Sequence, residues 1–268
     1  MSQKVRHIVN LSGGKDSTAL AIYLRDRIPD LEYVFCDTEK ELPETYEYLD
    51  RLEAYLGKRI QRLKQDGRGF DHYFALYGKY LPSALSRWCT RHLKLEPFER
   101  FVGSSEVVSY VGIRADEQRE GYISTKRNIK ARFPFKEDGI TGRDVFRLLE
   151  ESGLGLPDYY RWRSRSGCYF CFFQQKIEWV GLLENHPSLF QEAMEYEKQS
   201  TEDGHRYNWV DGESLAQLAE PRRVAAIKEE HARRIQHERD RAGKKTLVEV
   251  LADEVECSGE MACLICDL

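Results

Sequence analysis

Near the start of the chain an apolar run, Val5-Arg-His-Ile-Val-Asn-Leu11, is broken by Ser12-Gly13-Gly14-Lys15-Asp16-Ser17. From Thr18 to Ile28 the apolar residues recur at helical spacing until Pro29 closes the segment. Leu31 to Asp37 reads as a second strand. Pro43 suits the first turn of a helix that carries Tyr46, Leu49, Leu52 and Leu56 on one face. Arg59 to Leu63 and Val107 to Ile113 read as further strands. Strands and helices alternating at this interval predict βαβ crossovers and a doubly wound α/β fold with a mostly parallel sheet. After Arg143 the pattern turns mainly helical. Glu213 to Lys245 reads as helix, and Thr246 to Leu268 ends in clustered cysteines. The expected organisation is a domain over 1–180 and a helical C-terminal extension with a cysteine-rich tail over 181–268.

Composition narrows the class. Hydrophobic residues make up 41% and charged residues 32% of 268, as in globular proteins. No run approaches the ~18 apolar residues a membrane-spanning helix needs, and no signal-like stretch precedes the first strand, so a cytoplasmic location without a membrane partner is expected. In a reducing compartment the seven cysteines point to metal, catalysis or buried thiols rather than disulfides.

The segment Ser12–Ser17 lies where a strand gives way to a helix, the place where ligands gather in doubly wound folds. Gly13 and Gly14 let the backbone approach a ligand, and the helix N-terminus favours an anion. Lys15 adds a mobile charge, while the Ser12 and Ser17 hydroxyls add donors. A glycine turn made for packing alone is the plain alternative. The spacing is not that of a Walker A loop. Residue for residue it matches S-G-G-x-D-S, and so resembles the PP-loop ATP pyrophosphatases, of the adenine nucleotide alpha hydrolase-like fold.

Asp37-Thr38 followed by Leu42-Pro43-Glu44-Thr45-Tyr46 resembles the "D-T … F-P-E-T-Y" stretch of the phosphoadenosine-phosphosulfate (PAPS) reductase branch. Gly112-Ile-Arg-Ala-Asp-Glu-Gln-Arg119, Asp144-Val145, and Pro157-x-Tyr159-Tyr160 ahead of Gly167-Cys168 are also similar to that branch. The resemblance implies that ATP and Mg²⁺ are bound by Ser12, Gly13, Gly14, Lys15, Asp16, Ser17, Asp37, Arg114 and Arg119, with Lys15, Asp16 and Ser17 serving catalysis. On residue chemistry alone, Arg114 and Arg119 fit bidentate phosphate contacts or a self-paired charged turn. Asp37 fits a nucleotide or Mg²⁺ contact, or a turn residue.

Cys168-Tyr-Phe-Cys171 has a spacing that lets two thiolates share a metal centre, and redox dithiols use it too. Cys89 sits among basic residues, in a segment that resembles the "C-C-x-x-x-K-x-x-P" of iron–sulfur adenosine phosphosulfate reductases, with Trp88 in place of the first cysteine. That likeness implies an iron–sulfur cluster, 4Fe-4S in type, on Cys89, Cys168 and Cys171. Its fourth position is either open or filled by Cys257, Cys263 or Cys266. Zinc and simple thiols are the alternatives. Cys36 reads as a buried thiol.

An intact phosphate loop together with cluster cysteines resembles the sulfurtransferases of DNA phosphorothioation and tRNA thiolation. The implied reaction is adenylation of an acceptor, then sulfur transfer with a cysteine desulfurase as donor. A PAPS or adenosine phosphosulfate reductase making sulfite, a sulfate adenylyltransferase-like subunit and a non-catalytic nucleotide-binding partner are the competing readings. Between Pro221 and Lys245 nine basic residues stand against four acidic ones, so Arg233, Arg234, Lys244 and Lys245 are candidate nucleic-acid contacts on an otherwise acidic chain of net charge −4. A solvated amphipathic helix is the alternative there.

Overall fold

The computed structural model describes residues 4–65, 67–120, 124–200 and 207–244. Five strands, β1 (Arg6–Leu11), β2 (Glu32–Cys36), β3 (Ile60–Leu63), β4 (Val107–Tyr110) and β5 (Ile129–Arg132), form one sheet in the order β3-β2-β1-β4-β5. Every pairing is parallel. Helices α1 (Lys15–Arg25), α2 (Pro43–Leu56) and α3 (Phe70–Leu76) follow the first three strands. The short α4 (Trp88–Thr90), a π-turn (Arg91–Leu95) and α5 (Glu96–Val102) then form one continuous helical rod. After β5 come α6 (Pro134–Glu137), α7 (Gly142–Glu151), α8 (Lys176–Asn185), α9 (Pro187–Ser200), α10 (Leu215–Leu218) and α11 (Pro221–Lys244).

The sequence pattern explains most of this. Burial of both sheet faces suits the continuous apolar run Ile8–Leu11, all of it buried along with Asn10. Pro43 occupies the first turn of α2, and Gly57 ends that helix in the left-handed region at φ 61°. α1 begins at Lys15 rather than at Thr18, so the loop lysine is already part of the helix. The helix expected over Glu213–Lys245 divides, because Ser214 caps the one-turn α10 and Pro221 starts α11 afresh.

Three apolar clusters hold the layers. One packs α1, α2 and α7 on the sheet through Leu20, Leu24, Leu49, Leu52, Val145 and Leu149. A second fills the other face with Ile8, Val34, Phe98 and Val102. The largest is aromatic, and it runs without a break across residue 180, joining Phe70, Trp88 and Tyr159 to Trp179, Trp209 and Leu215. Among the described residues no helix is long and apolar enough to cross a membrane.

Candidate functional site

In the order β3-β2-β1-β4-β5 the connections leave β1 in opposite directions, so the crevice at the carboxyl ends of β1 and β4 is the topological switch point. The phosphate-loop residues fall there, between the end of β1 and the start of α1. Gly13 turns the chain at φ 75°, where a Cβ would lie 2.6 Å from Thr45 Cγ2. Ser17 is the hub. Its Oγ accepts the Ser12 N–H at 3.1 Å, lies 3.1 Å from Ser12 Oγ and donates to the Gly14 carbonyl at 3.2 Å. From the β4 side Gly112 presses against this loop, and a Cβ there would stand 3.0 Å from the Asp16 carbonyl oxygen.

Charges ring the loop. Lys15 Nζ contacts Asp16 at 2.6 Å, and Arg114 Nη1 reaches the same carboxylate at 3.0 Å. Arg114 also binds Asp116 at 2.9 Å and Glu117 at 3.2 Å. Burial works against its charge, but Asp16 and Glu117 more than offset that and raise the guanidinium pKa above its ordinary value. Arg119 pairs with Glu117 at 2.6 Å. Both readings of this turn thus hold in part: it pairs with itself, and through Arg114 it also reaches the phosphate loop. Asp37, buried at the end of β2, accepts from the Glu39 N–H at 2.9 Å and the Tyr46 hydroxyl at 2.7 Å, with Lys64 at 3.3 Å. Its side chain organises the turn into α2.

Sequence reading missed the cover of the loop. Tyr159 donates its hydroxyl to the Gly13 carbonyl at 2.8 Å, and the Tyr160 hydroxyl accepts the Lys15 N–H at 3.1 Å. Ser166 Oγ donates to Ser12 Oγ at 3.1 Å. The tyrosines were visible as a motif and as part of the aromatic stretch 159–165, read as able to stack on bases, but not as hydrogen-bond partners of the loop. Ser166, more than a hundred residues from the loop, gave no local signal.

Just beyond Ser166, from Gly167 on, the chain lines a cavity. Cys89, Cys168 and Cys171 line it together with Thr38, Lys94, Phe172 and Phe173. The π-turn explains how one helical rod supplies both Cys89 and Lys94. Residues five apart stand about 140° apart on an α-helix of ~3.6 residues per turn, whereas the wider π-turn brings them toward one face. Cys168 Sγ lies 3.1 Å from Thr38 Oγ1 and 3.7 Å from Glu41 Oε1. Arg163, buried, donates to the Gly167 and Cys168 carbonyls at 3.0 and 2.8 Å. Burial, reinforced by the Glu41 charge, pushes the Cys168 thiol well above its ordinary value, while Lys94 pulls it back. Cys36 lies apart, its thiol donating to the Lys94 carbonyl at 3.4 Å, and burial raises its pKa to about 12.

The donor chemistry here suits an anionic iron–sulfur group. Two buried cations, Lys94 and Arg163, lie near two buried carboxylates, Glu41 and Asp37, the latter also paired with Lys64. Arg163 Nε and Glu41 Oε2 have no hydrogen-bond partner among the described residues. Thiolates or an anionic cluster would find Lys94 and Arg163 close by to offset their charge. Among the described residues no three Cys, His, Asp or Glu side chains gather around a single point. The free volume is about 40 Å³, room for water. A cluster would therefore enter only as the lining side chains move apart. Cys257, Cys263 and Cys266 lie outside the described residues.

The basic helix α11 is partly committed to packing. Arg223 binds Glu213 at 2.7 Å and Lys228 binds Glu184 at 2.5 Å. Arg234 donates to Gln175 Oε1 at 2.7 Å, and exposed Arg233 stands 3.9 Å from Glu229. Lys244 ends the helix, and Lys245 lies outside the described residues.

An uncharacterised protein of Methanocaldococcus jannaschii is 29% identical over 218 residues, covering 76% of this chain and 43% of its own length. A second from that organism is 28% identical over 193 residues, covering 68% of this chain and 45% of its own length. The chain thus spans less than half of these two relatives. An uncharacterised 37.8 kDa protein of Escherichia phage 186 is 25% identical over 261 residues, covering 72% of this chain and 74% of its own. Among solved structures, PAPS reductase from Candida auris aligns with TM-score 0.48 and 15% identity over 63% of this chain and 82% of that one. The U34-tRNA thiolase NcsA from Methanococcus maripaludis, solved with its 4Fe-4S cluster, aligns with TM-score 0.43 and 15% identity over 75% and 73%. The phosphoadenosine phosphosulfate reductase domain model matches residues 6–171, from β1 through the second cysteine of the C-x-x-C pair, and the chain belongs to that family.

Proposed function

We propose that this protein is an ATP pyrophosphatase that adenylates a nucleic-acid acceptor for sulfur transfer. One observation carries the reading: Ser166 touches the phosphate loop at Ser12, and Cys168, two residues on, lines the cysteine cavity. Phosphate chemistry and sulfur chemistry therefore meet along one short stretch of backbone.

In this reading the α1 N-terminus, the Ser12 and Ser17 hydroxyls and Lys15 hold the β- and γ-phosphates of Mg²⁺-ATP. The acceptor oxygen attacks the α-phosphorus, the bond to the β-phosphate oxygen breaks, and pyrophosphate departs. Lys15 and Mg²⁺ balance the charge that builds on it. A sulfur nucleophile then displaces AMP from the acceptor. Cys89, Cys168 and Cys171 would hold the iron–sulfur cluster, which when bound supplies a place for that sulfur. Lys94 and Arg163 offset the negative charge there. A cysteine desulfurase is the proposed sulfur source, with DNA or tRNA as acceptor. Asp37 and Tyr46 shape the turn beside the nucleotide, and Arg114 fixes Asp16.

The family also contains reductases, so the test compares two substrates. Anaerobic protein is incubated with Mg²⁺ and either ATP or PAPS, with and without a thiol reductant. AMP and pyrophosphate from ATP, lost in Lys15→Ala, support the proposal. Sulfite from PAPS with ATP untouched would replace it with the reductase reading.

A further inference from the structure

The mouth of the cysteine cavity carries an unusual group of side chains. Arg87 lies over the Phe173 ring with its guanidinium carbon 5.1 Å from the centroid, and Arg165 lies over the same ring at 5.4 Å. Phe172 adjoins it, ring to ring, at 4.4 Å. Phe172 and Phe173 both line the cavity and are half-buried. Arg165 immediately precedes Ser166, the residue that touches the phosphate loop.

Flat guanidinium and phenyl groups stack on nucleobases, and the arginines add charge for the flanking phosphates. The patch is compact and carries two cations, whereas a duplex is held by a long cationic track. A chain of net charge −4 supplies no general field to hold one. We propose that Arg87, Phe173 and Arg165 seat one unpaired base of the acceptor strand. This inference rests on the nucleic-acid reading above and assigns its contact surface to the cavity rim instead of α11. Through Arg165 and Ser166 the rim adjoins the phosphate loop in sequence, and through Phe173 it adjoins the cysteine cavity.

The test measures binding of labelled single-stranded DNA and RNA oligonucleotides, and of their duplexes, to the full chain by fluorescence anisotropy over a salt series. Single strands are expected to bind more tightly than duplexes. Phe173→Ala and the pair Arg87→Glu with Arg165→Glu are each expected to weaken binding about tenfold, the scale of one lost base stack. Phe173→Leu keeps apolar bulk without a flat ring and serves if the alanine variant fails to fold; melting temperatures identify that case. Arg233→Glu with Arg234→Glu is the comparison on α11. Weakened binding in the rim variants upholds the proposal, whatever the helix variant does. Binding that survives the rim changes but falls with the helix variant overturns it and leaves the nucleic-acid reading standing. Absence of binding to every oligonucleotide overturns both.

Discussion

Ser166 Oγ donates to Ser12 Oγ at 3.1 Å, so a residue next to the C-x-x-C pair forms part of the phosphate loop's wall. Ser12 in turn lies 3.1 Å from Ser17 Oγ, which donates to the Gly14 carbonyl. Three hydroxyls thus form one line of hydrogen bonds from the cysteine segment to the loop backbone. Ser166→Ala is expected to weaken ATP binding about fivefold to tenfold, the worth of one hydrogen bond between neutral groups. The melting temperature should hardly change. Calorimetric titration of ATP into the variant checks this; unchanged affinity would reduce Ser166 to packing.

Gly112 offers a sharper probe, since nothing but its missing side chain is at stake. A methyl group there meets the Asp16 carbonyl oxygen at 3.0 Å and the Ser17 nitrogen at 3.3 Å, both backbone atoms. Gly112→Ala should push the loop off its strand and cost about 1–3 kcal/mol of stability. ATP binding should be lost more completely than folding. Urea unfolding set beside nucleotide titration separates the two effects.

Cys89→Ala, Cys168→Ala and Cys171→Ala should each lower iron and labile sulfide to background after anaerobic reconstitution, while ATP binding persists. Cys36→Ala is the control. Cys36 sits apart on β2 with its thiol bonded to the Lys94 carbonyl, so iron content should not change. Full iron in all three cavity variants would remove the cluster from these residues.

Glu213 joins the C-terminal helices. Its hydrogen bonds to Arg223 and then to Lys176 hold the carboxyl at about 2, below its usual 4.5. A depressed folded pKa stabilises the fold above about pH 4.5, and that contribution fades as pH falls toward about 2. Glu213→Gln should therefore lower the melting temperature at neutral pH by an amount worth roughly 1 kcal/mol. The gap should close across that acid window. A gap independent of pH would mean that shape, not charge, makes the contribution.

Sequence reading found what depends on neighbours along the chain. Strand periodicity located β1 and β2, and the break between β1 and α1 located the phosphate loop. β5 was missed because its four residues, Ile-Lys-Ala-Arg, bury only Ile129 at a sheet edge and show no apolar run. The lysine-bearing face of the π-turn was equally hidden, since an α-helical reading turns Lys94 away from Cys89. Arg114 read as an even choice between phosphate contact and surface turn. The structure gives it carboxylate partners on both the turn and the loop. Ser166 and Tyr160 were beyond reach, because only tertiary folding brings them to residues 12–15. Of the basic helix, charge could be counted, but the acids on α8 and beside α10 that engage it could not be foreseen.

The central place of β1 has a consequence for how the protein is made. Its two sheet neighbours are β2 and β4, and β4 starts only at Val107. Parallel pairings between distant segments form late, because long loops must close first. A nascent chain that has emerged only as far as α2 already contains every phosphate-loop residue, yet lacks Gly112 beneath the loop and Ser166 above it. Stalled ribosome complexes should therefore gain ATP-dependent protease resistance only once Ser166 is free of the exit tunnel. Until then the chain carries a nucleotide signature without a nucleotide site, and its exposed strand β1 is left to chaperones.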